Sequence, residues 1–169
     1  MTYFIWLLRI IHIGAGVFWI GSSMMTFFFL GPAVGATGEA GQKFMAHLIN
    51  NVKLSNRIAA SAGASILAGA ILYWIDSQGL TSAWMKSGAG IGFTVGAIFA
   101  LIGFAAGILV GRMNKALAQL GGQLQGKSTP EQVTQLQTIQ KQLVMYTRIS
   151  APALILAVIF MSIARYLHF

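Results

Sequence analysis

Few of the 169 residues could carry chemistry: three histidines, three carboxylates, 11 lysines and arginines, and no cysteine. The lack of cysteine excludes a thiolate metal site, a redox dithiol and a thiol nucleophile. His12 stands out because it lies inside an apolar run, about eight residues into the first span and so about 12 Å below a membrane surface. An ionisable group at that depth is costly unless it faces protein and has a partner. Two readings fit it. Imidazole is the usual protein ligand of haem iron and is neutral when it coordinates, so ligation would remove most of that cost. A neutral histidine bonded to a carbonyl or hydroxyl of a neighbouring helix would remove it equally well. On the first reading, Gly16, one turn further along the same face, leaves room for a flat macrocycle, and Trp19, two turns along, packs against its edge.

Arg9, Asp76, Lys86, Arg165 and His168 form a second group near the outer ends of the spans. Arg9 and Arg165 are expected about one turn above His12, where guanidinium groups could make paired hydrogen bonds to haem propionates. Asp76 is the only acid in the group, and an Asp–Arg pair with snorkelling basic chains accounts for the same residues without a cofactor. His168, Lys86, Met24 or no residue at all remain open as a sixth iron ligand. At the opposite end His47, Lys53, Arg57, Arg112 and Arg148 read as positive charge facing an anionic leaflet. The sequence holds no phosphate loop, hydrolase elbow, HExxH, ion-selectivity ring or Met-x-x-Met copper relay.

The elements that must position these residues follow from composition. With 56% apolar and 8% charged residues, and a mean hydropathy of +0.73, the chain falls far below the roughly 25% charged residues of a water-facing domain. That excludes disorder as well as a soluble globule. A hydrocarbon core about 30 Å thick needs roughly 20 helical residues. Extending the charge-free runs over their flanks predicts four spans, near 4–30, 56–76, 88–112 and 144–167, in a single all-α transmembrane domain covering 1–169. The first run is too long for the apolar part of a secretory signal and is read as retained.

Eight basic residues fall on one side of these spans (Lys43, Lys53, Arg57, Arg112, Lys115, Lys127, Lys141 and Arg148) and three on the other (Arg9, Lys86 and Arg165). This asymmetry predicts loops 31–55 and 113–143 in the cytoplasm and both termini outside. The net charge of +8 is thus positive-inside charge, with no nucleic acid as partner. Tyr3, Trp6, Tyr73, Trp74, Trp84 and Tyr166 gather at the outer interface, as a belt or as the lining of a pocket.

Gly92, Gly96, Ala100, Gly103, Gly107 and Gly111 in the third span, and Ser61, Ser65 and Gly69 in the second, are small-residue packing stripes. Pro152 is expected to kink the last helix. Met113, Leu117, Leu120 and Leu124, then an N-cap at Thr129-Pro130-Glu131-Gln132 and the stripe Val133, Leu136, Ile139 and Leu143, predict a cytoplasmic helical hairpin over 113–143 that turns at Gly121-Gly122 to Gly126.

Several of these residues carry a resemblance. His12-(x)6-Trp19-x-Gly21, Pro32 after the span, Phe44-Met45-(x)2-Leu48 and Gly69-(x)2-Leu72-Tyr73 resemble the HemJ-type protoporphyrinogen oxidases, the copper-resistance D-type membrane domains and their uncharacterised bacterial four-helix relatives. The ending Met161-(x)3-Arg165-Tyr166 looks like those relatives in particular. The resemblance implies a haem b held by His12 and a functional lysine at Lys86. The expected protein is therefore a four-helix bundle of a bacterial cytoplasmic membrane, holding haem b for electron transfer or porphyrin oxidation. The competing expectation is a non-catalytic membrane subunit that docks, as a homo-oligomer or in a larger complex, through its helices and hairpin. A permease is disfavoured by the scarcity of polar groups in the spans.

Overall fold

The computed structural model describes residues 2–123 and 129–168. Four stretches are helical, long and apolar enough to cross a membrane: Thr2–Ala36, Leu54–Asp76, Gly88–Leu120 and Pro130–Tyr166. The chain is thus an all-helical, membrane-embedded protein with four long apolar helices.

The first stretch is compound. Helix α1 (Thr2–Met25) widens into a π-helical turn, Thr26–Leu30, in which the Gly31 amide donates to the Thr26 carbonyl, and continues as α2 (Gly31–Ala36). The sequence reading places Pro32 after the span, yet the helix runs through it. Proline lacks an amide and its ring crowds the carbonyl four residues back, here that of Phe28. The wide turn directly before Pro32 accommodates that ring without breaking the helix. Helix α3 (Gly38–Asn50) then folds back to pack on a later helix, and Lys53, in the left-handed region at φ 59°, redirects the chain into α4 (Leu54–Asp76).

After α4 the chain turns through Gln78, Gly79 and Leu80, all at positive φ, and a short 3-10 turn, Ala83–Lys86. The buried Ser77 hydroxyl accepts the Leu80 amide at 3.1 Å. Ser87 accepts the Gly90 amide at 3.2 Å and so caps α5 (Gly88–Gln123). Helix α6 (Pro130–Ile163) begins at the N-cap read from the sequence, and the cap is a reciprocal capping box: Thr129 accepts the Gln132 amide at 3.3 Å while the Gln132 side chain accepts the Thr129 amide at 3.0 Å. The helix is continuous through Pro152. Gly121 and Gly122, expected in the hairpin turn, still belong to α5, and the rest of that turn, with Leu124 and Gly126, lies outside the described residues.

Packing is concentrated in two antiparallel pairs, α1 with α4 and α5 with α6. In the second, Gly92, Gly96 and Gly103 lie so close to Ala164, Met161 and Leu154 that a Cβ on any of them would come within 3.1 Å of the opposite helix. The buried Ser150 hydroxyl donates to the Gly103 carbonyl at 2.9 Å. Gly107 still faces α6 but more loosely, a Cβ there standing 3.7 Å from the Ser150 hydroxyl, and Gly111 leaves the seam, its Cβ position being nearest to Ser55 of α4 at 4.0 Å. Contacts between the pairs are sparser. Trp19, 4% exposed, meets Ala62 and Leu154 and packs edge-on to Phe104, with ring centroids 5.9 Å apart. An aromatic edge contact of this kind adds about 0.5–1.5 kcal/mol beyond burial. Farther out, Tyr73 shares a 2.6 Å hydrogen bond with Thr94 and lies edge-on to Trp84, which stacks on Phe93.

Candidate functional site

The seam between α1 and α4 contains the one histidine inside the apolar helices. A step of four residues along α1, from His12 to Gly16, is matched by a step of four back along α4, from Gly69 to Ser65, and Trp19 then meets Ala62. This is the register of two antiparallel helices whose i, i+4 ridges face each other. His12 lies ten residues from the start of α1 and so about 15 Å along its axis.

The imidazole is turned inward and partly buried. Its Nδ1 lies 2.8 Å from the Ser65 carbonyl oxygen. A carbonyl can only accept, so Nδ1 carries the proton, and in the neutral ring the lone pair is on Nε2. The Ser65 hydroxyl donates to the His12 carbonyl at 2.9 Å and stands 3.3 Å from Nδ1. The ring edge is pressed against Gly69, where a Cβ would come within 2.7 Å of Cε1 and 2.8 Å of Nδ1 but 3.6 Å of Nε2. The Nδ1–Cε1 edge therefore faces α4, and Nε2 is the ring atom farther from it.

The donor chemistry fits an axial haem ligand. An imidazole whose second nitrogen donates to a backbone carbonyl is the usual arrangement around a metal, because that bond fixes the tautomer and the ring orientation. The room expected above Gly16 is absent. The Ser65 hydroxyl stands 3.1 Å from where a Cβ on Gly16 would be, so no macrocycle fits into the α1–α4 seam at that level. Trp19 belongs to the core with Ala62 and Leu154 and does not flank the imidazole. A planar group could approach only from the Nε2 side.

The basic residues expected above the imidazole are not drawn into it. Arg9, Lys86 and Arg165 are all exposed, and among the described residues none has a carboxylate partner. Asp76 is exposed as well, so the alternative Asp–Arg pair is not formed. The single ion pair among the described residues is Lys43 with Glu39 at 2.7 Å, one turn apart in α3. That bond and the charge of Lys43 hold the Glu39 carboxyl below its ordinary range. No group of three or more metal-ligating side chains is gathered among the described residues. The aromatic residues divide: Tyr3, Trp6, Trp74 and Tyr166 are exposed as a belt would be, whereas Tyr73 and Trp84 turn inward.

Two partners of His12 were readable only as packing residues. Ser65 and Gly69 are small residues four apart in an apolar helix, and the signal that would have assigned them is that their spacing mirrors His12 and Gly16. No family model matches the chain, and neither a curated protein nor a solved structure shows significant similarity to it.

Proposed function

We propose that this membrane-embedded protein holds a haem b through Nε2 of His12 and serves electron transfer or porphyrin oxidation in a bacterial cytoplasmic membrane. The observation that supports this reading is the 2.8 Å bond from Nδ1 to the Ser65 carbonyl, which leaves a lone pair on the opposite nitrogen of an oriented imidazole. Arg9, three residues before His12 and thus about a turn nearer the helix start, is the guanidinium best placed on α1 to meet a propionate. Lys86 and Arg165 belong to the same end of the bundle as further basic partners. The charge asymmetry favours an orientation with that end outside and the α5–α6 extension in the cytoplasm. A haem so held supplies one-electron chemistry, while the chain binds it, orients the ligand and excludes water.

Absorbance is the direct test. Protein purified in mild detergent, or reconstituted with hemin, gives a Soret band that His12→Ala removes while the helical content is unchanged. A folded, colourless preparation that takes up no hemin overturns the reading.

One observation favours a second reading. Helices α5 and α6 are 36 and 34 residues long, well beyond the roughly 20 a bilayer requires, and their polar ends are available to a partner. A docking subunit would co-purify with a stoichiometric partner that is lost when residues 113–142 are deleted.

A further inference from the structure

At the end of the bundle that carries the α5–α6 extension, α1, α3, α4 and α5 enclose a cavity of about 270 Å³. Its deep end is aromatic and apolar, formed by Trp19, Ala62 and Phe104. Its other end is polar, formed by Asn56, Arg112 and Lys115. On α5 alone the lining runs from Phe104 to Lys115, eleven residues or about 16 Å of helix axis, and passes from a phenyl ring to two cations. We propose that this cavity takes one acyl chain of an acidic phospholipid, whose phosphate is held by Arg112 and Lys115.

Three features select that occupant. The volume lies below the about 300–1,000 Å³ of pockets that enclose a whole drug-sized ligand, so it suits a single chain whose head group stays outside. The wall is left open where the glycine stripe turns away from α6: a Cβ on Gly111 would meet nothing nearer than Ser55 at 4.0 Å. The cations at the mouth are exposed, and among the described residues neither has a carboxylate partner. A head group of net negative charge is attracted by both and offsets one of the two charges, and basic pockets between transmembrane helices at the cytoplasmic face are where acidic lipids bind. A free phosphate ion would satisfy the two cations but would leave the apolar depth empty.

The test uses the full chain in a neutral detergent, titrated with phosphatidylglycerol, with phosphatidylcholine of the same chains, and with sodium phosphate. Bound molecules are counted by native mass spectrometry. The expected result is one phosphatidylglycerol per chain, with phosphatidylcholine at least tenfold weaker. R112Q/K115Q lowers phosphatidylglycerol affinity by about thirtyfold, at about fivefold per basic residue near the surface, and leaves phosphatidylcholine unchanged. G111L, which places a side chain in the open wall, weakens both lipids without loss of helicity. Equal affinity for the two lipids, inorganic phosphate bound as tightly as the lipid, or lipid binding indifferent to G111L would each overturn the proposal.

Discussion

Replacing Gly69 by alanine tests the α1–α4 seam directly. The added methyl would come within 2.7 Å of His12 Cε1 and 2.8 Å of Nδ1, so the imidazole must move and give up its bond to the Ser65 carbonyl. Overpacking costs about 1–3 kcal/mol, and loss of an interhelical hydrogen bond in a membrane about 0.6 kcal/mol. Alanine gains about 1 kcal/mol over glycine in a helix, so Gly69→Ala should destabilise by about 0.5–2.5 kcal/mol. Gly63, on the same helix with nothing within 4 Å of its Cβ position, is the control, and Gly63→Ala should stabilise by about 1 kcal/mol. In a His12→Ala background the obstacle is gone, and Gly69→Ala should behave like Gly63→Ala. The unfolding free energy in mixed micelles, measured as a double-mutant cycle, should then show a coupling of about 1.5–3.5 kcal/mol between positions 12 and 69. If Gly69→Ala costs the same with and without His12, or stabilises the wild-type background as Gly63→Ala does, the imidazole is not seated against α4.

Ser150→Ala removes the buried donor to the Gly103 carbonyl and should cost about 0.6 kcal/mol in the same unfolding assay, an average for such bonds between membrane helices. Thr129→Ala removes one half of the capping box at the start of α6 and should cost about 1 kcal/mol locally, seen as faster amide exchange at Gln132 and Val133. The Glu39–Lys43 bond gives a pH dependence whose sign is fixed by its two shifts. Glu39 titrates below its ordinary 4.5, so its contribution is present above that value and is lost as the pH falls below it. Lys43 titrates above its ordinary 10.5, so its contribution is lost as the pH rises past that value. Amide exchange in the first turn of α3 should therefore quicken below about pH 4.5, and Lys43→Gln should remove that step.

The four apolar helices were legible because the absence of charge over some twenty residues leaves a helix in a bilayer as the only satisfied backbone. The N-cap at Thr129 was legible because it is local in the chain. Continuation of the first helix through Pro32 was not, since the proline signals a break and the π turn that absorbs it has no residue signature. Nor could the course of the glycine stripe be read. Six small residues in α5 look alike in one dimension, yet Gly92, Gly96 and Gly103 face α6 while Gly111 approaches α4 and lines the cavity. At the candidate site, the inward turn of His12 followed from the cost of exposing an imidazole to lipid. Its seat against Gly69 did not, because it depends on the antiparallel register of two helices separated by more than fifty residues. Arg9, Lys86 and Arg165 are exposed, because long basic chains reach for water rather than for one another.

The uneven packing of the bundle has a consequence for biosynthesis. The seam between α1 and α4 uses only the first 76 residues, and that between α5 and α6 only the later ones, so each half can complete its own packing as it leaves the ribosome. What remains for the finished chain is to lay α3 on α5, dock Trp19 against Phe104 and Leu154, and close the Tyr73–Thr94 bond. Two halves made separately, divided in the loop after Asp76, should therefore pair in the bilayer, though less tightly than the intact chain if the cut separates Trp84 from either half, since that ring lies edge-on to Tyr73 and stacks on Phe93.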